Sequence, residues 1–225
     1  LKLVAHETCR VTWLFQFEAV HPIDGINDPT FLPMLVARYN FAQVPNVAVT
    51  LEEFKQKGFR FGAGHFKSDT HSGAINEFWV YTDGFVAAAQ TTDIGQHFLT
   101  DLMTWLQTEW SFRELTSMRE LFLSNVVVDF DRPLDRLLAA YDAISQVVSL
   151  KAGELFRTPD KMGFARLDFE FDRTSETLKL PAPRFTLERR ANVPFGQERY
   201  FTSAPLSTRD HLQVLEAIEK LISSS

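Results

Sequence analysis

Between Gly62 and Gly73 the sequence GAGHFKSDTHSG places two imidazoles and a carboxylate, His65, Asp69 and His71, in one short polar stretch. Neutral imidazole nitrogens and carboxylate oxygens are zinc ligands, and imidazole also exchanges protons near neutral pH. A loop flexed by glycine is able to bring three such groups together. This makes His65, Asp69 and His71 the candidate metal-binding set. The spacing matches no established ligand motif, and a solvated connection between two strands has the same composition. The simpler reading is therefore a hairpin loop. Gly62-Ala63-Gly64 lacks the third glycine and the following helix that a dinucleotide fingerprint requires.

A second group is acidic. Asp168, Glu170 and Asp172 alternate with Leu167, Phe169 and Phe171, so the carboxylates share one face of an extended chain. Such a face, joined by Glu188 from the next strand, suits a divalent cation or general acid/base work. Arg166, Arg184 and Arg190 lie close in sequence, and pairing with them across strands gives an ordinary salt ladder instead. Asp129 and Asp131 follow a buried apolar run, where α/β enzymes often place carboxylates. They equally introduce a helix starting near Pro133 and interact with its positive end. No Gly-x-Ser-x-Gly elbow or phosphate-binding Walker loop is present, and the single cysteine, Cys9, carries no motif. No cofactor is implied.

The elements that must position these groups are clearer than the groups themselves. Residues 75 to 82 alternate as a strand, Asp83-Gly84 suits a tight type I′ turn, and Phe85 to Thr91 returns. Its Ala87, Ala88 and Ala89 are poor strand formers, which points to a helix lying close against them. Asp93 with Gln96 marks the start of that helix, and Phe98, Leu99, Leu102, Met103, Leu106 and Trp110 form its apolar face. Upstream, Val11 to Val20 reads as a strand and Asp28 to Asn40 leans to helix despite Pro33. Thr50 to Gly58 reads as a short capped helix, and Phe59 to Phe66 as a strand with two glycines.

Downstream, Glu120 to Phe130 reads as an apolar strand buried on both faces, and Leu134, Leu137, Leu138, Tyr141, Ile144 and Val148 recur at helical spacing. Strands at Phe164 to Asp172, Arg184 to Ala191 and Arg199 to Ala204 precede a final helix capped by Ser207 and Asp210. The expected fold is one α+β domain over residues 1–225: a mainly antiparallel sheet covered by three main amphipathic helices. The order strand, strand, strand, helix occurs twice, giving two loosely similar βββα halves; few residues match, such as Ala88 against Ala204 and Thr92 against Thr208, so the similarity is one of architecture and not of duplication.

Composition narrows the function classes. The 225 residues are 45% apolar and 23% charged, as in a folded globular protein. No apolar run reaches the ~20 residues of a membrane span, and Leu1 to Cys9 lacks a signal-peptide pattern. A net charge of -6 without a basic cluster makes nucleic acid an unlikely partner. One cysteine suits a reducing compartment, so the expected location is cytoplasmic. With 21 Phe and 4 Trp, a surplus of rings is expected outside the core, most readily at Trp13, Phe15 and Phe17. The resulting expectation is a non-enzymatic, cytoplasmic interaction protein, self-associating or a subunit of a larger assembly. Its rival is a metal-dependent hydrolase or nuclease-like enzyme using the His65 loop or the acidic strand around Asp168.

Overall fold

The computed structural model describes residues 1–20, 29–46, 51–134, 144–150, 163–170 and 184–224. Its strands are β1 (Lys2–His6), β2 (Cys9–Leu14), β3 (Phe59–Lys67), β4 (Ser72–Tyr81), β5 (Gly84–Ala89), β6 (Arg119–Asp129), β7 (Arg166–Phe169), β8 (Phe185–Arg189) and β9 (Arg199–Ala204). Helices are α1 (Phe17–Val20), α2 (Phe31–Tyr39), α3 (Leu51–Lys57), α4 (Thr92–Trp110), the helical residues 144–150 (α5) and α6 (Thr208–Ser224). The nine strands pair antiparallel, so the α+β class expected from the sequence is the class observed.

The chain divides into two compact units: Leu1–Glu7, Asn125–Pro205 and Arg209–Ser225 form the first, and Thr8–Ser124 with Leu206–Thr208 the second. In the second unit the strand order is β3-β4-β5-β2-β6. Register sets Val11 opposite Ala87 and Trp13 opposite Phe85, so the inward residues of β2 and β5 meet on one face. Phe98, Leu99, Leu102 and Met103 of α4 close that face together with Phe61, Phe66 and Phe78. The small side chains of Ala87 and Ala89 and the absence of a side chain at Gly95 let α4 approach; a Cβ at Gly95 would stand 3.1 Å from Val11. The expected close helix is α4.

In the first unit β6 pairs with β1, and the order continues β6-β9-β8-β7. Its core joins Val126, Val128 and Phe130 to Leu187, Tyr200, Leu215 and Ile222. Both βββα runs are therefore present, as β3-β4-β5-α4 and β7-β8-β9-α6.

Several boundaries differ from expectation for local reasons. The strand read as Val11 to Val20 ends at Leu14, after which the Phe15 amide donates to the Asp83 carbonyl (3.0 Å) and Phe17–Val20 turns into α1. Pro33 is compatible with α2 because it sits in the first turn, where an amide has no intrahelical partner to lose. The β4-β5 turn falls on Thr82-Asp83, one residue earlier than read, with Tyr81 paired to Gly84. Only Gly84 of these three adopts a positive φ (+144°), so the turn is not type I′. The Asp28 helix start, Thr50, the helical positions Leu137, Leu138 and Tyr141, and the strand end at Asp172 lie outside the described residues.

Candidate functional site

The loop that carries the candidate metal set is a tight hairpin connection. Ser68 closes it: its amide donates to the His71 carbonyl at 2.7 Å, and its hydroxyl accepts from the His71 amide at 3.1 Å. His65 lies exposed on β3 opposite Ala74, Asp69 is exposed at the turn, and His71 begins the return. His71 Nδ1 bonds to the Thr70 hydroxyl (2.7 Å), and its ring stacks on His97 of α4 with centroids 3.5 Å apart and planes inclined by 25°. Two imidazoles sharing one tetrahedral zinc hold their ring centres about 5 Å apart, because each nitrogen lies ~2 Å from the metal. The stack is a packing contact. Among the described residues no three His, Cys, Asp or Glu side chains gather as a metal-ligand set, so His65, Asp69 and His71 are not brought together.

The glycines of this region have a different use. The Gln43 and Gly62 backbones exchange two hydrogen bonds (3.0 and 2.9 Å), and the Ala42 amide donates to the Ala63 carbonyl at 3.2 Å. The segment after α2 thus lies along the edge of β3. A side chain at Gly64 would collide with the Phe41 ring, and one at Gly62 would meet the Gln43 amide oxygen at 2.6 Å. Close backbone approach, not ligand binding, explains Gly62-Ala63-Gly64.

On the acidic strand each described carboxylate is paired. Arg166 reaches Asp168 at 2.9 Å and Glu188 at 3.8 Å, and Arg184 reaches Glu170 at 2.8 Å. The hydrogen bond from Arg166 holds the Asp168 carboxyl below its usual range. Arg190 pairs with Glu7 at 3.3 Å, a partner the sequence offered no reason to choose. Asp172 lies outside the described residues. Asp129 is clamped by Arg199 through two bonds of 2.7 and 3.0 Å, which lowers its carboxyl as well. Of these pairs, Arg166–Glu188 and Arg184–Glu170 are the ones that match the expected pairing of arginines with the acidic strand across strands, whereas Arg166–Asp168 lies within β7.

Other polar clusters are equally self-contained. Tyr39 donates to Asp101 at 2.7 Å while Arg38 bridges to the same carboxylate at 3.0 Å; burial, reinforced by Asp101, pushes the Tyr39 hydroxyl up. On β4 the Trp79 and Tyr81 rings run parallel, 5.7 Å apart, with the Arg60 guanidinium 5.5 Å from the Trp79 ring centre. Glu77 accepts from the Trp79 indole and from Arg60, and these bonds lower its carboxyl. Cys9 is fully buried, with its sulfur 3.9 Å from the Ser124 hydroxyl and 3.7 Å from that of Thr208. Burial bars a substrate from that thiol.

Among the surface features of the described residues, two stand out for their chemistry. A cleft of about 440 Å³ at the end of the second unit's sheet is lined by Leu14, Asp83, Glu114, Leu115, Met118 and Arg119, among others. In the first unit, α5 presents Ile144, Val147 and Leu150 at 61%, 63% and 61% exposure, with Val148 beside them at 41%. The surplus rings expected at the N-terminal strand are not there, since Trp13 and Phe15 are buried and β2 is paired on both edges. The Phe17 side chain lies outside the described residues. Nothing in the sequence marked α5 as exposed, because its apolar spacing is that of a core helix. Among the described residues no helix is long and apolar enough to cross a membrane. No protein-family model matches the chain, and no curated protein matches it either.

Proposed function

We propose that the protein is a non-enzymatic interaction protein of the cytoplasm that associates with a second copy of itself through α5. The observation that carries this reading is the exposure of Ile144, Val147 and Leu150 on the stretch ISQVVSL, which contains no charge. Large apolar side chains grouped at the surface favour a contact that removes them from water. A face without charge meets its own copy without like-charge repulsion, and closed two-fold pairing is the commonest arrangement of soluble oligomers. The cytoplasmic assignment is supported by a single, buried cysteine. Support for a non-enzymatic role comes from Asp168, Glu170, Asp129, Asp101 and Glu77, which are engaged with arginines, and from His71, which is engaged with Thr70 and His97.

The described residues of α5 alone cover less than the roughly 800 Å² per partner of a standard interface, so an association through them is expected to be weak. Light scattering at concentrations on the order of 100 μM, where complexes of small interface area are populated, tests it. The expected result is a mass that rises above the monomer and returns to it in Val147→Asp with an unchanged circular dichroism spectrum. A wild-type monomer throughout that range defeats the proposal.

A further inference from the structure

We draw no further inference here: the strongest candidate, the cleft at the end of the second unit's sheet between Leu14, Asp83, Glu114 and Arg119, carries nothing because none of the buried polar atoms left without a partner lies in it to indicate the chemistry of a ligand.

Discussion

Thr92 and Thr208 cap each other. The Thr92 amide donates to the Thr208 hydroxyl oxygen at 3.0 Å, and the Thr208 amide donates to the Thr92 hydroxyl oxygen at 2.7 Å. Each is the first residue of its helix, α4 or α6, and both are buried. Amides in a first helical turn have no intrahelical acceptor, so each hydroxyl supplies what the other helix lacks. The two hydroxyls also lie 3.1 Å apart, and Ser124 joins Thr208 at 3.4 Å.

Replacing either threonine by valine keeps the shape and orphans the opposite amide. We predict that Thr208→Val costs about 1–3 kcal/mol, the penalty for a buried donor left unsatisfied, while Thr208→Ser retains most of the stability. Because the pair shares one network, the Thr92→Val/Thr208→Val cycle should show a coupling of at least ~0.5 kcal/mol. Urea denaturation measures both; a Thr208→Val protein as stable as wild type would remove the capping role.

These two threonines also show where sequence reading succeeds and where it stops. The repeated order of elements that places each of them at a helix start is legible in the sequence, since periodicity and capping residues are local signals. The hydrogen bonds between them are not, because their partners are 116 residues apart. The same division holds elsewhere. The apolar faces of α4 and α6 follow from spacing, whereas Gly62 and Gly64 acquire their role only when residues 41–43 arrive along β3. His71 was singled out by residue type, yet its neighbour His97 comes from another element and turns a candidate ligand into a packing contact. Asp129 was read as serving a helix nearby in sequence; its partner is Arg199, 70 residues on.

Gly84, which opens β5 directly after the Thr82-Asp83 turn, permits no side chain. Its φ of +144° is disfavoured for other residues, and a Cβ there would run into the Trp13 carbonyl oxygen. Gly84→Ala is predicted to destabilise by roughly 1–3 kcal/mol or more, as strained backbone positions do. Gly196, where an added Cβ meets nothing within 4 Å, is the control, with an expected change inside ~0.5 kcal/mol. Equal melting temperatures for Gly84→Ala and Gly196→Ala would contradict the steric argument.

The absence of a gathered ligand set among the described residues leads to a prediction about metals. A ligand that binds only the native state must raise its melting temperature, by an amount set by concentration over affinity. His65, Asp69 and His71 are therefore expected to add nothing to any response of the melting curve to zinc, manganese or magnesium, so that His65→Ala and His71→Ala respond as wild type does. His71→Ala should cost no more than about 1 kcal/mol, the value of a lost ring contact. A clear zinc-dependent rise, abolished by both His65→Ala and His71→Ala, would instead favour the metal-dependent hydrolase.

Acid stability should depend on His211. This imidazole is fully buried on α6, bonded through Nε2 to the Thr202 hydroxyl at 2.8 Å and packed edge-on to Phe185. Burial pushes its pKa down from 6.5 to about 4, so the folded protein holds it neutral over a range in which the unfolded chain protonates it. The unfolded state then binds the extra proton as pH falls, and unfolding is favoured. The contribution is fully present above the unfolded value of 6.5 and is lost progressively until pH drops through about 4. The total loss is on the order of 3 kcal/mol. His211→Gln removes the titration while keeping a polar group near Thr202. Its stability should therefore fall less steeply than wild type between those two pH values. Denaturation curves across that interval decide the point: parallel pH dependences in the two proteins would show that His211 does not carry the acid sensitivity.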